Sequence, residues 1–210
     1  QAVFVVGFNT VTLSCGDCSC AALLVSSSTL LATNFGKAVV SSNWITLALT
    51  PTTTAAASCT GAGVIISGGA AVVTQSSALA FYANSISAAG SIGSYSGTLT
   101  TTGMSFVDVS VTCWASSLVA FLSNTATATA STGSVSGMVV SSASKAWSVY
   151  RSSVLLVKGN TFTVSTASGS CVSWGAVLTT SFDSQTTMSS NTCNVQSGAA
   201  FAFASSTPLY

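Results

Sequence analysis

The 210-residue sequence predicts an all-β protein, a right-handed parallel β-helix of irregular repeats that spans residues 1–210 as one solenoid domain with little or no helix. Three observations predict it. An apolar run, an Asn, and then Thr or Ser at the first and third positions after that Asn recur as a template along the chain. Residues after the Asn alternate with period two, and β-branched residues are dense while strong helix formers other than Ala and Leu are scarce. The copies follow one another at the spacing of a repeat unit, which cannot bury its apolar face alone and must stack on its neighbours.

The template opens with "QAVFVVGFNTVTLS" and returns as "SSALAFYANSISAA", "SSLVAFLSNTATAT" and "SSVLLVKGNTFTVS". Two weaker copies, "SSSTLLATNFGKAV" and "DSQTTMSSNTCNVQ", place Asn34 and Asn191 in the same slot. The Asn column therefore reads Asn9, Asn34, Asn84, Asn124, Asn160 and Asn191, and it is expected to form a ladder at a bend, each amide bonded to the Asn above and below. The interval from Asn34 to Asn84 is long enough to hide a degenerate copy.

Each copy continues into a second apolar patch, "AALLVSS", "GMVVSSA", "WGAVLTT" or "GAAFAFA", so one repeat holds two or three short strands separated by Gly, Ser and Thr turns. Alternation puts Val11, Ile86, Ala126, Phe162 and Cys193 inside and leaves Thr10 and Thr12, Ser85 and Ser87, Thr125 and Thr127, and Thr161 and Thr163 as an outward hydroxyl file. Before the Asn, both faces are apolar, as in Val3 to Val6 and Val154 to Val157. The outer face there is expected to be covered by loops, a neighbouring subunit or sugar.

Composition excludes several function classes. Only 3% of residues are charged, with no His and a net charge of +1, which offers nothing to nucleic acid or an anionic bilayer. No apolar run approaches the ~18 residues of a membrane helix. Ser and Thr make up a third of the chain, so its polar half is written in hydroxyls. Seven cysteines without a His point to an oxidising, extracellular or cell-surface setting, with disulfides expected among Cys15, Cys18, Cys20, Cys59, Cys113, Cys171 and Cys193 and at least one of the seven left over.

The stretch "LLVKGNTFTVSTASGSCVSWGAVLTTSFDS" with "NTCNVQSGAAFAFASS" resembles the dispersed gene family surface proteins of trypanosomes and similar kinetoplastid cell-surface repeats. That resemblance implies a β-helical, adhesive cell-surface protein. The chain has no Asn-x-Ser/Thr sequon, only the Asn-x-Cys form at Asn191. Sugar is expected instead on Thr50, Thr52, Thr53 and Thr54, mucin-like around Pro51, or on Thr100, Thr101 and Thr102, within segments that read as low-complexity loops.

Catalysis has little to draw on. Asp17, Asp108 and Asp183 fall in distant regions, and Lys37, Lys145, Arg151 and Lys158 are dispersed except that Arg151 and Lys158 flank one strand, so neither an acid/base pair nor a metal or organic cofactor is expected. "CGDCSC" has Cys-x-x-Cys spacing but no His to complete a zinc site, and reads as a disulfide-tied turn.

The expectation is a non-catalytic, extracellular structural and adhesive solenoid, possessing no cap at either end and therefore continuing head to tail into a filament or surface coat. Its partners are further copies of itself, with carbohydrate or cell-surface ligands beside them. Two alternatives remain, an ice- or carbohydrate-binding face built from the Thr/Ser ladders, and a polysaccharide lyase or hydrolase.

Overall fold

Short strands and tight corners follow one another around a common axis in the computed structural model, which describes residues 2–16, 19–51, 58–91, 97–142, 144–166, 168–196 and 198–203. The first coil comprises β1 (Val3–Gly7), β2 (Thr10–Cys15), β3 (Ser19–Ser26) and β4 (Thr29–Ala32). The second holds β5 (Lys37–Ser41), β6 (Trp44–Leu49), β7 (Ser58–Ser67) and β8 (Ala70–Val73). The third holds β9 (Ala78–Tyr82), β10 (Ser85–Gly90), β11 (Thr98–Val107) and β12 (Ser110–Trp114). The fourth holds β13 (Leu118–Leu122), β14 (Thr125–Ala130), β15 (Ser134–Ser141) and β16 (Ala146–Tyr150). The fifth holds β17 (Val154–Lys158), β18 (Thr161–Ser165), β19 (Ser168–Trp174) and β20 (Val177–Ser181), and the sixth β21 (Gln185–Ser189), β22 (Thr192–Val195) and β23 (Gly198–Phe203).

Each strand pairs in parallel with the strand four further along, so the coils generate four parallel sheets. The first sheet runs β1-β5-β9-β13-β17-β21, the second β2-β6-β10-β14-β18-β22, the third β3-β7-β11-β15-β19-β23 and the fourth β4-β8-β12-β16-β20. The chain is the parallel β-helix expected, with four strands per full coil rather than two or three.

Corners close because the backbone turns left-handed there. The residue before each ladder position, Phe8, Ser42, Ala83, Ser123, Gly159 and Ser190, has φ between 51° and 67°. Left-handed backbone thus falls one residue before the Asn, not on it. At the corner between the fourth and first sheets, two consecutive residues are left-handed in every coil: Asn34 and Phe35, Gln75 and Ser76, Ala115 and Ser116, Arg151 and Ser152, Phe182 and Asp183. A non-glycine residue in this region costs about 1–2 kcal/mol, so the corners persist only because the strands and ladders on either side over-determine them.

One apolar core fills the lumen. Val11, Ile45, Ile86, Ala126, Phe162 and Cys193 form one inward file, the expected set with Ile45 added. Opposite stand Gly63, Gly103 and Gly137 of the third sheet. They are glycines because the lumen is narrow: a Cβ on Gly63 would run into Ile86, and one on Gly137 would come within 2.6 Å of the Phe162 ring. Where the third sheet stands off, aromatics fill the space. Phe81 and Phe121 stack at 5.1 Å with Phe106 edge-on to both, and Trp147 meets Trp174 at 4.8 Å. Each such fully buried side chain contributes roughly 2–3 kcal/mol.

The first sheet is apolar on its outer face too, in a file of Val39, Ala80, Ala120 and Leu156. Val39, Ala80 and Leu156 are half-buried, and Ala120 is fully buried.

Candidate functional site

Inside the corner between the first and second sheets runs an asparagine ladder. Asn9, Asn43, Asn84, Asn124 and Asn160 each donate from Nδ2 to Oδ1 of the Asn in the next coil, at 3.0, 2.9, 2.9, 3.0 and 2.9 Å. The backbone N–H of each donates to the same oxygen at 2.9–3.2 Å. The second Nδ2 proton reaches back to a carbonyl of the preceding coil: Val6 from Asn43, Val40 from Asn84, Phe81 from Asn124, Phe121 from Asn160 and Val157 from Asn191. Each central Asn therefore ties three coils together, which satisfies amides that would otherwise be costly to bury.

Asn34 does not belong to this ladder. It lies exposed at the corner between the fourth and first sheets with φ 52°, its backbone N–H donating to Oε1 of Gln75 at 3.3 Å. Asn43 takes its slot. The sequence concealed it because Trp44 stands where the template has Thr or Ser, although Thr46 and the inward residues Ile45, Leu47 and Leu49 follow the pattern.

A second ladder escaped sequence reading. The N–H of Ser77 donates to Oγ of Ser117 at 3.3 Å, that of Ser117 to Ser153 at 3.1 Å, and that of Ser153 to Ser184 at 3.2 Å. Ser77, Ser117 and Ser153 are buried beside the paired left-handed residues. The signal was the Ser-Ser that precedes the apolar run in "SSALAF", "SSLVAF" and "SSVLLV".

The cysteines divide three ways. Cys15 and Cys20 are bonded across the turn between β2 and β3, which makes "CGDCSC" a disulfide-tied turn, with Cys18 and Asp17 outside the described residues. Cys171 and Cys193 are bonded across the lumen, and Cys59 is also disulfide-bonded. Cys113 is a free, buried thiol. Burial pushes its pKa up to about 11 against the opposing hydrogen bonds of Ser153, Val154 and Val119.

Of the threonines expected to carry sugar, Thr50 is exposed just past β6, its N–H on the Cys15 carbonyl at 2.8 Å. Thr52, Thr53 and Thr54 lie outside the described residues. Thr100, Thr101 and Thr102 are not in a loop: they belong to β11, paired on both sides. Thr101 is fully buried with its hydroxyl on the Thr129 carbonyl at 3.0 Å, and Thr102 is buried too, so neither hydroxyl is open to a glycosyl donor.

The outer face of the second sheet carries hydroxyl files longer than the sequence indicated. Thr12, Thr46, Ser87, Thr127 and Thr163 align over five coils before Asn194 ends the file. A parallel file runs Thr10, Trp44, Ser85, Thr125, Thr161 and Thr192. Neighbours within a file are set by the strand spacing of about 4.8 Å.

Charged groups are scattered. Asp108 accepts from Oγ of Ser142 at 3.4 Å, Nζ of Lys145 donates to the Gly69 carbonyl at 3.4 Å, and the Arg151 guanidinium lies 5.4 Å from the centre of the Trp114 ring. Among the described residues no three His, Cys, Asp or Glu side chains converge to hold a metal ion, and no helix is long and apolar enough to cross a membrane. Comparison with known proteins returns no match to a protein family, to a curated protein or to a solved structure.

Proposed function

We propose that this chain is a non-catalytic structural and adhesive β-helix of an extracellular or cell-surface setting, whose coils continue end to end into a filament or coat. The observation that carries the reading is the direction of the asparagine ladder. Every bond between ladder residues runs from donor in one coil to Oδ1 in the next. Among the described residues nothing donates to Oδ1 of Asn9, and the N–H of Asn191 donates to nothing. One end face offers the acceptor that the other lacks.

Apolar surface supports the same reading. At the first coil Phe4, Val6, Leu23, Val25 and Leu30 point into the open lumen and line a cavity of about 220 Å³. Phe4 is 58% exposed there, and among the described residues no strand pairs with the edges of β1, β2, β3 and β4 on that side. Unpaired edges over apolar residues are templates for another coil, from the same polypeptide or from another copy. The disulfides support an oxidising compartment, and the accessible threonine Thr50, with Thr52, Thr53 and Thr54 next to it in sequence, is the proposed sugar attachment region. Negative-stain electron microscopy with light scattering over a concentration series tests the reading. Linear particles one solenoid wide that lengthen with concentration are expected, and compact monomers at every concentration overturn it.

The hydroxyl files favour a second reading, in which the second sheet binds an ordered surface of ice or carbohydrate. Thermal hysteresis that disappears on Thr127→Val with Thr163→Val would select it.

A further inference from the structure

The outer face of the fourth sheet carries an assembly that neither stacking nor the hydroxyl files use. Trp114 ends β12 and Tyr150 ends β16, in register on adjacent coils, and both project outward because Cys113 and Val149 beside them are fully buried. Their rings stack at 6.3 Å with an angle of 26°, and both remain partly exposed. The exposed guanidinium of Arg151 leans over the Trp114 ring at 5.4 Å. It has no carboxylate within ion-pair distance among the described residues; Asp183 stands at the next coil's copy of the same corner, one position beyond Phe182, which occupies the column of Arg151. Along the same face the outward hydroxyls of Thr112, Ser148 and Thr179 align one strand apart. The strands of this sheet contain no charged residue.

We propose that Trp114, Tyr150 and Arg151 form a binding platform for a carboxylate-bearing sugar of an acidic glycan. The chemistry of the face selects this ligand class. Aromatic faces accept the C–H side of a pyranose ring, and the outward hydroxyls of Thr112, Ser148 and Thr179 on the same face meet its rim. A planar guanidinium with free donors matches a carboxylate in a two-bond fork. Trp, Tyr and Arg are also the residues that dominate binding energy where they cluster on a surface. Arg151 already sits over the Trp114 ring, so the cation is placed before the ligand arrives. The site goes beyond the stacking reading and does not depend on it, since it lies on the flank of the solenoid rather than at its end faces.

The test titrates the full chain with hyaluronan hexasaccharide, hexagalacturonate and sialyllactose, each against its carboxyl methyl ester, by calorimetry and tryptophan fluorescence. At least one acidic glycan should bind at least tenfold more tightly than its ester. Trp114→Ala should weaken that binding by tenfold or more, Arg151→Gln should bring acid and ester to the same affinity, and Thr127→Ala on the second sheet should change nothing. Arg151→Gln alters only an exposed group, so it decides the matter even where Trp114→Ala perturbs folding. Absence of binding by all three acids at millimolar concentration, equal affinity for acid and ester in the unaltered chain, or undiminished discrimination in Arg151→Gln overturns the proposal. Filament formation in Arg151→Gln should be unchanged, which separates failure of this site from failure of end-to-end assembly.

Discussion

Cys171 and Cys193 face each other across the lumen at the positions that, one coil earlier, belong to Gly137 and Phe162. The third sheet packs each residue of this column against the second-sheet residue of the following coil: Gly63 on Ile86, Gly103 on Ala126 and Gly137 on Phe162. In the last pair a covalent bond replaces a ring lying on a glycine. The bond closes a segment 22 residues long, for which loss of the crosslink costs about 3 kcal/mol.

Cys171→Ser and Cys193→Ser should therefore each lower the unfolding free energy by about that amount, read from urea titration as a lower midpoint, with the sixth coil losing amide protection first in hydrogen exchange. Installing the earlier pair, Cys171→Gly with Cys193→Phe, should recover part of the loss without any bond. A double variant no more stable than the single ones would show that the column is not interchangeable between coils.

Asn84→Ala should be among the most damaging changes at a polar position. It removes the buried acceptor of both Asn43 donors and the donor to the half-buried Val40 carbonyl, at a cost of about 3 kcal/mol or more. Asn34→Gly should stay within about 0.5 kcal/mol, because Asn34 is exposed and its φ suits glycine. Similar midpoints for the two variants in chemical denaturation would refute the ladder assignment.

The two core tryptophans should respond differently to the same substitution. Trp147 donates from Nε1 to the Val109 carbonyl at 3.1 Å, whereas Nε1 of Trp174 is the buried side-chain polar atom without a partner among the described residues. Trp147→Phe should cost about 1–2 kcal/mol more than Trp174→Phe, since only the first strands a buried carbonyl. Thermal melts of the two variants at one protein concentration measure the difference.

Cys113 should make stability fall at alkaline pH. Its thiol is held protonated in the folded chain, up to about pH 11, but ionises earlier once unfolded. The unfolded state then binds fewer protons, so stability declines as pH rises through the interval between the two pKa values and is unaffected below it. Cys113→Val should flatten that decline, and thiol reagents at neutral pH should label the unaltered chain only on unfolding. Rapid labelling of native protein would contradict the burial.

Much of this was legible because a solenoid writes its architecture locally. Period-two alternation placed Phe162 and Ala126 inside, and five of the ladder residues followed from one template. Asn43 was hidden by Trp44, a single outward residue that does not affect the ladder but breaks the pattern by which it is recognised. The serine ladder was invisible because serine before an apolar run also reads as an ordinary turn. Thr101 misled in the other direction: a run of threonines looks like a loop, yet its hydroxyl is satisfied across the lumen by Thr129, a residue of the neighbouring coil. Pairing of Cys171 with Cys193 depends on the one-coil offset between sheets, which no spacing along the chain expresses.

Coil length varies most at one connection. The chain between the second and third sheets runs from Leu49 to Ser58 in the second coil but only from Ser165 to Ser168 in the fifth, while the asparagine corner keeps two residues throughout. Because each coil contacts only its neighbours and meets them through the same ladders, a gene for such a protein can gain or lose a whole coil by duplication or deletion without a new interface having to arise. Insertions at the variable connection would diversify one edge of the molecule, leaving its axial repeat untouched. Length in this architecture is a heritable variable, and the ladder sets the step in which it changes.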